Sequence, residues 1–303
     1  MIEFFERVYF NPTRFDIFIS FILFPLSLIY GSVGLIKYWL IRPKDLGIKI
    51  ISIGNISVGG SGKTPFAIEL IKYFESKGLK VIYISRGYGR VSKGLIWVKK
   101  NRDILVDVKV SGDEAMLVAK SCNCDVIVSE DRVKAIKLAK NIGYDLVILD
   151  DAFSKVGIKK FDILLEPKSY KNSFVLPSGP LREFKFARKR ANLILKDGID
   201  FKRVVNIKEP KCDMMLVTAI ANPKRLEPYL PKNLKGKYIL QDHSFFDKVK
   251  IVEKMEECSA KYILVTQKDL VKLEQFNLPI SIMELSLNID KKILNKIEEY
   301  YES

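Results

Sequence analysis

Histidine is almost missing from this chain: His243 is the only one in 303 residues. A metal site built on several histidines is therefore excluded. Cysteine is scarce too. Cys122, Cys124, Cys212 and Cys258 form no C-x-x-C pair, and Cys122 and Cys124 stand too close in sequence for a framework bridge. A disulfide scaffold and a cysteine zinc site are both disfavoured, and a reducing compartment fits. Internal repeats, low-complexity tracts and an acidic tail are absent as well. Acidic residues are the minority: 36 Asp and Glu stand against 51 Lys and Arg, a formal charge of +15. So basic a chain favours anionic partners, whether nucleic acid, acidic membrane or phosphorylated substrate, and the charge does not choose among them. What is present is globular: 48% hydrophobic and 29% charged residues exclude disorder for the bulk of the chain.

Charge is also missing locally. From Ile17 to Ile36 the chain reads IFISFILFPLSLIYGSVGLI without a single charged residue. About twenty such residues suffice to span a bilayer core. The run lies too far in, and is too poor in a cleavage pattern, for a signal peptide. Pro25 interrupts it, and Gly31 and Gly34 weaken it as a helix. Lys37, Tyr38 and Trp39 follow, then Arg42, Lys44 and Lys49, an aromatic belt with basic residues behind it. The segment reads as a shallow membrane anchor, a helix or helix pair broken near Pro25, ahead of a spanning helix or a buried core helix.

A strand, a glycine-rich turn and a helix come next. Lys49–Ile53 is a short apolar, β-branched run, and Lys63–Phe74 carries Phe66, Leu70 and Phe74 at helical spacing. Between them lies SVGGSGKT, the context a P-loop requires. Ser57, Val58, Gly59, Gly60, Ser61, Gly62, Lys63 and Thr64 are the candidate nucleotide cradle. Gly59, Gly60 and Gly62 let backbone N–H groups close around phosphate oxygens, with the helix dipole behind them. Lys63 would reach the β- and γ-phosphates, and Thr64 would ligate Mg²⁺. Ser57 stands where the usual pattern has its first glycine.

A P-loop needs acidic metal ligands. Tyr144–Leu149 (YDLVIL) is a buried strand ending in Asp150 and Asp151, the Walker B arrangement, and either carboxylate can hold Mg²⁺. Further strands are predicted at Lys80–Ser85, Asp125–Ser129, Asp162–Leu165 and Asn192–Lys196, with helices at Asp113–Ser121 and Asp131–Asn141. Alternation of this kind predicts an α/β P-loop NTPase core, a mostly parallel sheet covered by helices on both faces. Ligands then gather at the carboxyl ends of the strands, near Arg86, Asp113, Asp150 and Asp151. A smaller C-terminal α/β domain is expected, with strands at Met214–Thr218, Tyr238–Leu240, Lys261–Thr266 and Ser281–Leu285. Its helices are expected at Pro223–Tyr229, Phe246–Cys258 and Asp290–Tyr301. The expected organisation is a membrane-associated helical segment over 1–45, a kinase domain over 46–200 and the smaller domain over 201–303.

Eight collinear segments carry a resemblance: GNISVGGSGKTP (54–65), SRGYGR (85–90), SGDEAMLVAK (111–120), LDDAF (149–153), LPSGPLRE (176–183), TAIANPKR (218–225), QDHSFFD (241–247) and TQKDLVKL (266–273). Together they make the chain resemble the tetraacyldisaccharide 4′-kinase (lipid A 4′-kinase) family. The resemblance implies a membrane-associated P-loop kinase that moves the γ-phosphate of ATP, with Mg²⁺, to the 4′-hydroxyl of a tetraacylated glucosamine disaccharide 1-phosphate. It implies lipid A biosynthesis at the cytoplasmic face of the bacterial inner membrane. The expected partners are the lipid A disaccharide precursor and anionic membrane lipids; nucleic acid is not expected, and no protein partner is deducible. By motif, Asp113 matches the family's catalytic acidic residue and His243 its dyad partner, with Lys63 at the phosphates. Asp150 and Asp151 match the metal-binding pair. Arg182 and Glu183 match the segment lining the substrate or metal region, and Arg86 is placed to meet phosphate.

A positioned carboxylate that accepts the sugar proton suits this chemistry, because a sugar hydroxyl is a poor nucleophile. Asp113 also reads as a helix N-cap, since SGDE precedes an apolar helix. The chain departs from the family after the aspartates. It reads Ala152-Phe153-Ser154-Lys155-Val156 where a glycine, Phe, Gln, His and basic residues are usual, so contacts of that Gln and His do not carry over. Arg182–Arg190 (REFKFARKR) reads either as a solvated helix face or as a contact for phosphate headgroups. The alternative function is a membrane-bound ATPase switch of the partition or targeting kind. That class carries a signature lysine just before the paired glycines, where this chain has Val58.

Overall fold

The structure, a computed structural model, describes residues 7–303, so the first six residues of the expected membrane segment lie outside it. The chain divides into two units. One holds the described part of Met1–Lys63 with Ile136–Lys202 and Ile289–Ser303; the other holds Thr64–Ala135 with Arg203–Asn288.

Within the first unit, β1 (Lys49–Gly54) lies parallel between β6 (Leu146–Asp150) and β7 (Phe161–Glu166), and β7 is followed by β8 (Leu193–Lys196), again parallel. Ile50, Ile51 and Ile53 are fully buried in succession. Side chains on both faces of β1 are therefore covered, which is why its sequence is a continuous apolar run. The parallel register sets Ile53 beside Asp150. The tips of β1 and β6 thus meet, and the glycine turn and the two aspartates leave from the same end.

Helix α1 (Arg14–Leu40) runs unbroken through Pro25. This corrects the expectation of a break. Polar anchors hold it on both sides of the proline. The Asn172 amide donates to Ser20 Oγ, and Ser27 Oγ donates to the carbonyl of Val175. Proline removes a single backbone donor, and with both halves docked on one surface the helix continues. A capping box between Thr13 and Asp16 starts the helix. Its orientation is inverted relative to a soluble helix. Asp16, Ser20, Ser27 and Gly31 face inward, while Phe15, Phe18, Phe21, Ile22 and Ile29 are each 59–67% exposed.

The second unit carries two sheets. In one, β2 (Val81–Ser85) is parallel to β5 (Asp125–Val128), and β3 (Ile96–Lys100) runs antiparallel to both β5 and β4 (Asp103–Ile104). In the other the order is β11 (Gly236–Ile239), β10 (Met214–Thr218), β12 (Tyr262–Thr266), β13 (Ile280–Ile289) and β9 (Phe201–Lys208), with β11, β10, β12 and β13 parallel. The longer helices that follow are α2 (Lys63–Ser76), α3 (Asp113–Ser121), α4 (Arg132–Ile142), α5 (Lys248–Glu257), α6 (Gln267–Leu273) and α7 (Lys291–Glu302), with one short turn of helix at Val108–Ser111. The fold is the expected one, mostly parallel α/β sheets of the P-loop NTPase kind with an apolar N-terminal helix. Strands β3, β4 and β9 and helix α6 go beyond the sequence expectation, and Pro223–Tyr229 is 3₁₀ rather than α-helical.

Candidate functional site

In the first unit the glycine turn rests on the 176–183 segment. Val58 N–H donates to the Pro180 carbonyl, and Arg182 N–H donates to the Ile56 carbonyl at 2.6 Å. The Asn55 amide closes the turn on the Ser57 carbonyl at 2.7 Å. Ser57 is buried on this floor, whereas Gly59 and Gly60 are exposed. Gly59 and Gly62 have φ of +92° and +83°, conformations a side chain resists. Glycine at these two positions lets the turn take this course, the backbone geometry a phosphate cradle uses.

Lys63 Nζ donates to Asn55 Oδ1 at 3.2 Å and lies 3.6 Å from Asp151. Arg182 Nη1 reaches both Asp151 oxygens, at 2.9 and 3.2 Å. Burial works to raise the Asp151 carboxyl, but the charges of Lys63 and Arg182 outweigh it and hold it below its ordinary value. Asp151 itself has φ +48°. Its neighbour Asp150 is buried at the end of β6. Thr64, at the second position of α2, is buried too.

Glu183 pairs with Arg190, whose guanidinium lies over the rings of Tyr38 and Phe153 at 4.9 and 4.8 Å. Burial, the larger effect, raises the Glu183 carboxyl against the pull of Arg190. A cavity of about 380 Å³ lies here, lined by Glu183, Phe184, Lys189 and Arg190 from one side and by Gly31, Leu35, Tyr38 and Trp39 of α1 from the other. The basic stretch is thus not a solvated helix face. Residues 185–190 form a 3₁₀ turn in which Arg188 pairs with Glu166 and Arg190 with Glu183. Phe153, in the segment that departs from the family, packs under Gly54 and joins Ile56, Leu164, Val175 and Leu181 in a buried cluster. Ser154 is exposed.

In the second unit, Asp113 and His243 meet across 130 residues of sequence. His243 Nδ1 lies 2.9 and 3.0 Å from the two Asp113 oxygens. Asp113 does not cap its helix. Gly112 is the N-cap, and its φ of +82° and ψ of 155° leave no room for a Cβ, which would sit 2.8 Å from the Tyr88 carbonyl. Asp113 becomes the first helical residue, and its carboxylate is turned to His243. His243 sits in a left-handed conformation, φ +63°, and its backbone N–H reaches the Ala219 carbonyl at the end of β10. Strain at a functional side chain persists where surroundings over-determine it. Here Tyr88 packs on the imidazole, ring centroids 4.8 Å apart. Arg86, at the end of β2, is exposed.

Two lysines complete this cluster. Lys268 Nζ stands 3.6 Å and Lys272 Nζ 3.3 Å from Asp113 Oδ2. Burial would raise the Asp113 carboxyl. The hydrogen bond with His243 and the charges of Lys268, His243 and Lys272 outweigh it, so the group lies well below the usual carboxylate range. Asp113 is therefore a carboxylate throughout the neutral range. Neither lysine carries a role in the sequence expectation, although both stand in TQKDLVKL. Their signal was there: four residues apart, they share one face of a helix. Asp269 fixes that helix. Its buried carboxylate accepts from Thr218 and Thr266 hydroxyls, each at 2.7 Å, and from the Ala219 N–H.

The LpxK family profile, tetraacyldisaccharide-1-P 4′-kinase, matches residues 19–214. A tetraacyldisaccharide 4′-kinase of Aliarcobacter butzleri is 49% identical over 297 residues, covering 95% of this chain and 93% of that protein. One from Helicobacter pylori strain HPAG1 is 43% identical, covering 98% and 94%. The crystal structure of LpxK from Aquifex aeolicus in complex with ATP superposes with a TM-score of 0.77 at 25% identity, covering 93% of this chain and 99% of that one. These similarities do not favour a dimerisation switch. Since the profile spans well over half the chain and the relatives nearly all of it, this chain belongs to the tetraacyldisaccharide 4′-kinase family.

Proposed function

We propose that this chain transfers the γ-phosphate of ATP to the 4′-hydroxyl of a tetraacyldisaccharide 1-phosphate. The observation that carries the reading is the Asp113–His243 pair, 2.9 Å apart, in a member of this family. In the proposed roles, the Ser57–Thr64 turn wraps the phosphates, with Val58 N–H anchoring it to Pro180, and Lys63 leaves Asn55 and Asp151 to follow the γ-phosphate. The sugar hydroxyl gives its proton to the Asp113 carboxylate as the new phosphate ester forms. His243 donates Nδ1–H to that carboxylate and keeps it oriented. Arg86, Arg182 and Glu183 are proposed to line the substrate.

The donor chemistry fits Mg²⁺. Among the described residues no three His, Cys, Asp or Glu side chains form a cage. Magnesium commonly takes one or two carboxylates and leaves its other positions to water and phosphate. Asp150, Asp151 and Thr64 are the oxygen donors that would hold it, and when bound it neutralises charge on the transferring phosphate.

Membrane association at the cytoplasmic face of the inner membrane rests on α1, which is long and apolar enough to cross a bilayer. Its inward stripe, from Asp16 to Gly31, is docked on protein for about four turns. A helix so docked presents one apolar face to lipid, which favours the shallow anchor over a lone span. Anionic lipids are the proposed neighbours of so basic a chain.

The test is transfer of labelled γ-phosphate from Mg·ATP to tetraacyldisaccharide 1-phosphate in detergent micelles. Labelled lipid that disappears in Lys63→Ala and Asp113→Asn is expected. ATP hydrolysis with no labelled lipid would reject the acceptor.

A further inference from the structure

Lys272 is an unusual residue for the inside of a protein. Its side chain is 1% exposed, and a buried ammonium must be paired and hydrogen-bonded to be tolerated. Three partners satisfy it: Asp113 Oδ2 at 3.3 Å, the Ser244 carbonyl at 3.1 Å, and the face of the Phe246 ring at 5.7 Å. Ser244 adjoins His243, so one ammonium ties the carboxylate to the loop that carries its imidazole partner. Lys268 differs. It is 20% exposed and divides its charge among Asp113, Glu114 and Asp242, at 3.6, 3.8 and 3.2 Å.

We infer that Lys272 is a positioning residue for phosphoryl transfer: it holds the Asp113 carboxylate ionised and aimed while fastening the His243 loop to it. The inference rests on the proposed role of Asp113. The titratable groups facing Asp113 are His243, Lys268 and Lys272, with Glu114 and Asp242 behind Lys268 and Asp242 Oδ2 also 3.4 Å from His243 Nε2; the Glu114 N–H donates to Asp113 Oδ1 at 2.9 Å. Of the two lysines, Lys272 is the more buried, so its charge is the less screened by water. Removing it leaves a buried carboxylate with less opposing charge. The carboxyl pKa then rises, by about 1–3 units for loss of a close opposite charge.

The experiment is the pH dependence of kcat/KM for the lipid acceptor in wild type, Lys272→Met, Lys272→Arg and Asp113→Asn. In Lys272→Met the acid limb should move upward by at least one pH unit while staying on the acid side of neutrality, so that the deficit against wild type grows as pH falls and closes towards neutral pH. The KM for ATP should stay unchanged. Lys272→Arg keeps the charge and should leave the limb in place. Because His243 is the only histidine, its imidazole ¹⁵N resonances report the site without assignment: the Nδ1–H resonance should shift or weaken in Lys272→Met and be restored in Lys272→Arg, and an unaltered pattern in Lys272→Met would overturn the fastening role. A drop of equal size at every pH, or a limb that does not move, would overturn the inference. Should Lys272→Met fail to fold, Lys272→Gln takes its place in the same profile. Undiminished transfer by Asp113→Asn would instead overturn the role of Asp113 itself, a distinct failure.

Discussion

At the scale of residues, the two clusters make separable predictions. Lys63→Ala should reduce transfer by about 10²–10³-fold, the usual loss when one charge-stabilising donor is removed. It should also free Asp151 of one of its two cations, leaving Arg182. Asp113→Asn should lose transfer by about 10²–10⁴-fold, as expected for a missing general base, yet still bind nucleotide. Equilibrium ATP binding measured beside turnover checks both. Asp113 also links stability to pH. Its folded pKa is depressed, so its contribution is fully present above the unfolded carboxylate value of about 4 and disappears as pH falls through the folded value. The thermal midpoint of Asp113→Asn should therefore trail wild type most at pH 7 and converge on it towards pH 2. A deficit that stays constant from pH 7 to pH 2 would show that the charged form is not what the fold favours.

At the scale of elements, α1 is the informative case. Its charge-free run was legible, and with it the expectation of a membrane anchor. Its continuity through Pro25 was not, because that depends on docking points at residues 172 and 175 that lie far away in sequence. Ser27 is the central one. Its hydroxyl is shared with Val175 O at 2.8 Å and Ser178 Oγ at 2.6 Å, and Ser178 N–H donates back to it at 3.1 Å. Ser27→Val should cost about 1–3 kcal/mol by orphaning these buried groups, measured by denaturant unfolding in detergent. Gly31→Leu should also destabilise, since even a Cβ there would meet the Phe184 ring at 2.6 Å. Strand β9 teaches a similar lesson. Phe201–Lys208 alternates inward and outward residues, but Arg203 takes an inward position and Val204 an outward one, which blurs the period-2 signal. Strand β4, two exposed residues at the sheet edge, carries almost no signal of its own, whereas β3 opens on Ile96-Trp97-Val98, a β-forming run cut short by Lys99 and Lys100.

At the scale of the whole molecule, net charge of +15 and one outward apolar helix face point to the same environment. Electrostatics and burial should separate experimentally. Binding to vesicles containing anionic lipid should weaken as salt rises from 0.1 to 1 M, where the screening length falls from about 10 to 3 Å. A salt-resistant remainder should persist, carried by Phe18, Ile22 and Ile29. Changing those three to Ser should remove it, since each buried side chain contributes about 1.5–3 kcal/mol. Vesicle co-sedimentation of the triple variant, with transfer to a micellar acceptor as a folding control, checks this. Equal sedimentation of variant and wild type at 1 M salt would refute the anchoring role of that face.

What the sequence determined alone was everything written in contiguous residues. The P-loop, the strand ending in two aspartates and most of the alternating strands and helices were readable, because backbone conformation and apolar periodicity are local properties. The roles proposed for Asp113 and His243 rest on resemblance, since no spacing connects residues 113 and 243. Tertiary structure decided their meeting, the burial of Lys272 beside them and the engagement of Arg190 by Glu183 and two rings. It also turned the polar stripe of α1 inward. The physical reason is common to all four. A buried charge or hydroxyl needs a partner, and in a parallel α/β fold the partner arrives on a different strand or loop, brought there by the sheet rather than by the neighbouring sequence.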